Sequence, residues 1–387
     1  MSAALLSFFI VLLAGLIFSE LFNRFHLPWV LALILAGVVI GPYAADIITI
    51  DPTLEFIGQI GLVFLMFMGG LEARLSSFRG LRREIVITTA FNSLIPFALG
   101  MLVAFTFSYS LNAAILLGVI FISSSVSVVL PALERSGYIR NSVGRLVLDV
   151  AIIEDILSLI LLSIIIQTTN SLSPLPLYVL YPLLLLIFIG LRWIAKHVSK
   201  LMLFLFADDT SRGGSHELQV VFVVLIGTVI IFQILGLHPI IGSFLAGLIL
   251  SDSIKENGLK NKLRAMGYGL FIPIFFVLVG MRTNIFAFSD ARYALVLTIS
   301  VVSALIIAKF TGGWLGAKLS GLSNYNASFV GVATIPQLTT TLAVAFSGLE
   351  FGILDEKLVA ALVVLSALTT FLGPFLVNQF TKNKAEA

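Results

Sequence analysis

Glu154 and Asp155 stand side by side in an apolar stretch, Val150-Ala-Ile-Ile-Glu-Asp-Ile-Leu-Ser-Leu-Ile-Leu-Leu162. Lys309 lies inside another, Val301-Val-Ser-Ala-Leu-Ile-Ile-Ala-Lys-Phe310. An ionised side chain at bilayer depth costs at least roughly 2.5–3.5 kcal/mol on insertion scales, so it is rarely kept without a use. Three in one chain point to ion or proton handling across a membrane. A dehydrated monovalent cation needs hard oxygen ligands and a nearby negative charge. Asp155 and Glu154 are the expected ligands of such an ion, Na⁺ or another alkali cation. A carboxylate that also takes a proton turns binding into competition, and competition at one site gives exchange. If the two acids titrate together, their protons belong to the pair. Lys309 completes the set as the counter-charge.

The elements that carry these groups are membrane helices. Hydrophobic residues make up 59% of the 387, charged residues 11%, and mean hydropathy is +1.10, far from the composition of soluble domains. Long continuous apolar runs, not ten-residue alternation, select helices over a barrel. Thirteen spans are expected, near 3–22, 28–44, 54–72, 85–108, 112–133, 143–168, 174–206, 216–235, 239–252, 264–281, 291–317, 325–347 and 357–380. Of the 23 Lys and Arg, 14 fall in connections after odd-numbered spans or in the tail, and five more, Arg145, Arg192, Lys196, Lys200 and Arg264, lie in the spans that border those connections and count to the same side. Arg282, Arg292 and Lys357 fall on the other side, and Lys309 lies within a span. That asymmetry places the C-terminus in the cytoplasm and the N-terminus outside. The net charge of +3 then reflects topology and anionic headgroups, not nucleic acid. The first span has no basic leader and reads as a retained helix. With no cysteine, disulfides, thiol catalysis and Cys-bound metal are excluded. His26, His197, His216 and His238 form no ligand spacing, and no enzymatic constellation or cofactor is expected.

The halves resemble each other at an offset of 210 residues. Leu35-Ala36-Gly37 matches Leu245-Ala246-Gly247, and Gly70-Leu71 matches Gly280-Met281, each closing an aromatic helix. Residues 1–170 and 214–387 are read as six-helix repeats joined by a linker helix in 171–213. Seven crossings separate equivalent points, so the second repeat is inverted, a mark of secondary transporters. In the fifth span Ser123, Ser124, Ser125 and Ser127 precede Pro131; in the twelfth, Thr334, Gln337 and Thr339 surround Pro336. Proline withdraws a donor and disturbs the carbonyl four residues back. Both places are read as crossed, unwound helices whose carbonyls and half-helix ends line a cation site. The plainer alternative is small serines packing between helices, with Pro131 a simple kink. At the same offset Asp155 falls on Leu365 and Lys309 on Leu99, so the charges are not duplicated. Gly312-Gly-Trp-Leu-Gly316 is expected to pack helices inside the core.

The stretch Ser123–Leu161, with its Ser-rich break, its Gly137–Arg145 loop and the Glu154-Asp155 pair, resembles the monovalent cation:proton antiporter-2 family. So do Leu35-Ala-Gly-Val-Val-Ile-Gly-Pro42, Gly61–Glu72, Gly242–Leu248 and Phe275–Met281, and the likeness covers essentially the whole chain. The resemblance implies a dimeric antiporter exchanging Na⁺, Li⁺ or K⁺ for protons. It implies a mobile core of spans 4–6 and 11–13 and a dimerisation scaffold of spans 1–3 and 8–10. Asp155 matches the essential carboxylate, and Lys309 the lysine that pairs with the preceding acid. That preceding position, often Asp or a neutral amide in relatives, is Glu154 here. An Arg-Gly-Glu-like segment common in the twelfth span is replaced by Pro336-Gln-Leu-Thr339.

The expected protein is therefore an all-α polytopic antiporter of a prokaryotic cell (inner) membrane, working by elevator-like alternating access and needing no cofactor. Transport is electrogenic if Lys309 loses its proton as Glu154 releases it, since two protons then move per cation. A K⁺/H⁺ exchanger or K⁺ efflux protein is the alternative within transport. A sodium-coupled symporter of organic anions and a non-transporting sensor are alternatives of other classes. A separate regulatory subunit on the basic cytoplasmic loops is compatible with the sequence.

Overall fold

Apolar runs this long satisfy every backbone group within the segment only as helices, and helices are what form. The computed structural model describes residues 2–24, 29–72, 82–170, 215–251, 258–283 and 291–385, with a few isolated positions between. The helices are α1 (Ser2–Arg24), α2 (Trp29–Ile40), α3 (Pro52–Glu72), α4 (Arg83–Thr106), α5 (Leu111–Ile122), α6 (Val126–Arg135) and α7 (Ser142–Asn170). There follow α8 (Ser215–Ile234), α9 (Pro239–Leu250), α10 (Leu259–Arg282), α11 (Ala291–Leu319), α12 (Asn324–Ala333), α13 (Thr339–Glu350) and α14 (Glu356–Ala385). Twelve of the expected spans coincide with these helices, the fifth and twelfth each split in two. The expected linker helix lies largely outside the described residues. Among the described residues, eight segments are long and apolar enough to cross a membrane, and α2 and α9 are shorter apolar helices. The chain is an integral membrane protein of all-α fold.

The chain divides into two compact units. One comprises residues 1–55, 80–165 and 276–387; the other comprises 56–79 and 166–275. In the first, α4 packs along α11 and α5, α11 also meets α12 and α14, and α1 lies on α2. Gly312 and Gly316 seat α11 directly on the α4 backbone at Phe91–Asn92 and Thr88. On one side of this unit Tyr138 stacks on Phe329, ring centroids 4.4 Å apart. The turn before Tyr138 is made by Gly137 at φ 71°, in the left-handed region that favours glycine. Elsewhere in the unit Tyr109 donates to both oxygens of Asp355, at 3.0 and 3.2 Å. Asp355 in turn caps α14 by accepting from the Leu358 N–H at 2.9 Å. Burial, and then the Asp355 charge, hold the Tyr109 hydroxyl above the ordinary tyrosine range, so it remains a donor. In the second unit α8 packs on α9, and α10 passes through a π-helical turn at Gly267–Phe271.

The internal repeat is written in the contacts. A Cβ on Gly37 would strike the backbone of Val277 and Met281; one on Gly247 would strike Phe67 and Leu71, the residues 210 earlier. The reciprocal pair behaves alike: Gly280 sits on Ile34 and Val38, and Gly70 on Phe244 and Leu248. Thus α2 meets α10 as α9 meets α3. The offset is not constant, however. Gly118 packs on Phe97 and Gly331 on Phe310, while Gly100 meets Gly118 as Gly313 meets Gly331. Those equivalents are 213 apart, as are the capping serines Ser110 and Ser323. The second repeat has gained three residues between Gly280 and Phe310. The counterpart of Lys309 is therefore Pro96, not Leu99, and Ser123–Ser127 correspond to Pro336–Thr340.

Gly37→Ala and Gly247→Ala should each destabilise the purified protein by about 1–3 kcal/mol, since the added methyl meets backbone that must move. Gly227→Ala, where nothing lies within 4 Å, should be neutral or stabilising on the same helix-propensity scale. Thermal melting in detergent compares the three; equal melting temperatures would remove these glycines as contact points.

Candidate functional site

The site forms where two helices break. α5 ends at Ile122, Ser123 is extended (φ −62°, ψ 157°), and α6 starts after Ser125 (φ −74°, ψ 102°). α12 ends at Ala333 and α13 starts after Leu338 (φ −151°, ψ −83°). Each break satisfies the other. Ser125 N–H donates to Pro336 O at 2.8 Å, and Ser124 Oγ lies 2.9 Å from Thr334 O, its single proton shared between that carbonyl and Glu154 Oε2. The Gln337 amide donates to Ser123 O, and its Oε1 accepts from Ser123 Oγ at 3.1 Å and from Thr341 Oγ1. Gln337 N–H donates to Thr369 Oγ1 on α14 at 3.1 Å. Irregular backbone is thus buried in protein and paired, the condition for tolerating it at membrane depth. The expected unwound pair is present, and its two strands of backbone bond to each other.

Beside the breaks, α7 and α11 deliver the charges. Glu154 and Lys309 are each 0% exposed and pair at 2.9 Å. Glu154 Oε2 also accepts from Ser124 Oγ at 2.7 Å, and Oε1 accepts from Asn92 Nδ2 at 2.7 Å. Lys309 directs its other protons to Ile122 O, the last carbonyl of α5, and to Asn92 O at 3.4 Å. A cation at the C-terminal end of a helix and a carboxylate with three donors are both favourable placements. The pair is closed on every side.

Asp155, one residue on, faces different company. It is 5% exposed, and its Oδ1 has no hydrogen-bond partner among the described residues. Thr340, at the start of α13, and the Ser124 backbone lie beside the carboxylate. With all three groups ionised the site carries one net negative charge, which a single monovalent cation or proton balances.

The residues singled out from sequence divide by role. Ser123, Ser124 and Gln337 join the crossing, and Ser125 and Ser127 bond each other at 3.0 Å. The Thr334 hydroxyl turns back on its own helix at Val330 O, 3.0 Å away, while its carbonyl accepts from Ser124. Thr339 is buried at the first turn of α13. Asn92 and Thr369 escaped the sequence reading, while Thr340 and Thr341 were legible only as part of the polar run that follows Pro336. The signal for Asn92 was present: an amide in an apolar helix, four residues before Pro96, whose missing N–H leaves the Asn92 carbonyl unclaimed.

The chain is similar to known membrane antiporters. A family model described as "Sodium/hydrogen exchanger, transmembrane" matches residues 8–382. A protein named "Probable Na(+)/H(+) antiporter 3" from Methanocaldococcus jannaschii is 30% identical over 376 residues, covering 96% of this chain and 95% of its own length. A Na(+)/H(+) antiporter from Enterococcus hirae is 29% identical over 380 residues, covering 96% and 97%. Among solved structures, the sodium proton antiporter MjNhaP1 from Methanocaldococcus jannaschii superposes with a TM-score of 0.71, covering 98% of both chains at 18% identity. The likeness to cation:proton antiporters read from the sequence is borne out at the level of this exchanger family.

Removing one partner of a buried ion pair strands a charge, a loss of about 3–5 kcal/mol, whereas replacing both with apolar groups is often neutral. Lys309→Met should therefore melt well below wild type, and Glu154→Leu/Lys309→Met should recover most of the loss. A double variant no more stable than Lys309→Met would contradict the pairing.

Proposed function

The chain belongs to the transmembrane sodium/hydrogen exchanger family, and from that premise we propose that it exchanges Na⁺, or Li⁺, for protons across a cell membrane, with Asp155 as the shared binding group. One observation carries this reading. Of two adjacent buried carboxylates, Glu154 has both oxygens engaged by protein donors, while Asp155 keeps Oδ1 unbonded beside two broken helices. A sodium ion there finds carboxylate, carbonyl and hydroxyl oxygens, the ligand type that hard cations take. A proton on the same carboxylate removes the charge that holds the cation. The two ions exclude each other, so each crosses when the other has left.

The cycle proposed is alternating access with an elevator-like movement of the helices around the breaks, supported by the reciprocal contacts of the two repeats. Spans 4–6 and 11–13 form the moving core, and spans 1–3 and 8–10 the scaffold through which two copies dimerise. Transport is electrogenic: Lys309 gives up its proton as Glu154 releases it, and two protons move per cation. The distribution of Lys and Arg supports a cytoplasmic C-terminus and an external N-terminus in a prokaryotic inner membrane. The basic loops face anionic lipid there and offer a place for a regulatory subunit.

Proteoliposomes holding a proton gradient test the core of this. Adding Na⁺ or Li⁺ should collapse the gradient in wild type and leave it intact in Asp155→Asn. Because proton and cation compete, the apparent KM for Na⁺ should rise about tenfold for each pH unit of acidification once the site is mainly protonated. Response to K⁺ alone would reassign the cargo, and response to none of the three in folded wild type would refute antiport. Voltage supplies a separate test, at about 2.3 kcal/mol per charge per 100 mV. A potassium–valinomycin potential should alter the rate, and a rate blind to voltage would exclude two protons per cation.

A further inference from the structure

Pro96 cannot donate to the carbonyl one turn earlier, so Asn92 O is not bound into the helical ladder of α4. That carbonyl faces Lys309 Nζ at 3.4 Å, while the Asn92 side chain donates from Nδ2 to Glu154 Oε1 at 2.7 Å. One residue therefore holds both members of the ion pair, the lysine by its main chain and the glutamate by its side chain. The orientation of the amide follows from chemistry: an ionised carboxylate only accepts, so the NH₂ must face it. Asn92 is 0% exposed, and Gly312 brings α11 onto the α4 backbone at that level. The grip is pre-set by packing.

We infer that Asn92, with its carbonyl released by Pro96, is a positioning residue for exchange: it clamps the Glu154–Lys309 pair and so holds the charges of the site in the geometry that accepts Na⁺. The inference rests on the exchange reading above. The charged groups facing Glu154 are Lys309 from α11 and Asp155 beside it on α7. From α4 and from the α5–α6 break it meets only the neutral Asn92 and Ser124. Among the described residues, only Asn92 donates to Glu154 Oε1. Without it one carboxylate oxygen is left unserved in a dry site, and the pair loses the bond that fixes it beside Asp155. Sodium then meets a site whose charges are less well placed and binds more weakly.

Asn92→Leu keeps the volume and removes the donor; Pro96→Ala keeps Asn92 and restores the N–H that recaptures its carbonyl. Both are compared with wild type and Asp155→Asn in proteoliposomes, by Na⁺-driven proton movement at about pH 7 over a range of Na⁺ concentrations. For Asn92→Leu, the apparent KM for Na⁺ should rise about tenfold, the size expected for a lost bond to a charged group. The maximal rate at saturating Na⁺ should stay near wild type. Pro96→Ala should raise KM by less, and Asn92→Gln should recover part of the loss. A fall in maximal rate with unchanged KM would reduce Asn92 to packing and overturn the inference. If Asn92→Leu does not fold, the KM of Pro96→Ala decides alone, and an unchanged one overturns it. Failure of the exchange reading is seen separately, as a wild type indistinguishable from Asp155→Asn.

Discussion

Everything around the site follows from the cost of placing charge and open backbone where no water can solvate them. Moving one ion into such a place costs several kcal/mol after relaxation, and an unpaired peptide group costs about 1–3 kcal/mol. The chain meets both demands with one device, the crossing of two broken helices. The breaks bond to each other through Ser125–Pro336, Ser124–Thr334 and Gln337–Ser123, and the half-helix ends face the ions. Lys309 sits on the terminal carbonyl of α5, where the helix dipole is negative, and Asp155 lies beside the first turn of α13, where it is positive. Each dipole contribution is small, at most about 2 kcal/mol. Together with the direct ion pair and the Ser124 and Asn92 bonds, they let three ionisable groups share one buried place.

The scaffold for this device is duplicated, while the chemistry on it is single. Gly37 and Gly247, or Gly118 and Gly331, make equivalent close approaches in the two halves, because helix packing depends on small residues at fixed points. At the positions equivalent across α4 and α11 one half has Pro96 and the other Lys309. The two residues nonetheless converge on one group, since proline frees the carbonyl that lysine addresses. The frame recurs in both halves, and the difference at one equivalent pair provides both an ion and an acceptor for it.

Span positions, the two breaks and the three buried charges were legible because each rests on local chemistry: apolar length, proline beside hydroxyls, and ionisable groups in apolar runs. The change of offset from 210 to 213 was not, because helix-end matches at Gly37 and Gly70 lie before the three added residues. Asn92 was missed for a related reason. Its importance comes from a partner 62 residues away that only the fold presents. The Thr334 hydroxyl looked like a lining group and instead bonds within α12, as threonine often does one turn back.

Adjacent acids on a helix are easily read as redundant, yet consecutive positions do not share a face. Glu154 turns toward α4 and α11 and spends both oxygens on Asn92, Ser124 and Lys309; Asp155 turns toward α13 and Thr340. Glutamate at the first position also has a geometric reason. Its additional methylene carries the carboxylate far enough to meet donors from three separate elements, all within 2.9 Å. A shorter acid at 154 would have to draw α4, α11 or the break inward, against the close glycine contacts that fix α11 on α4. The longer side chain therefore belongs to the pair's role as an internal counter-charge. The shorter Asp155, with an oxygen uncommitted, suits a group whose partners must come and go.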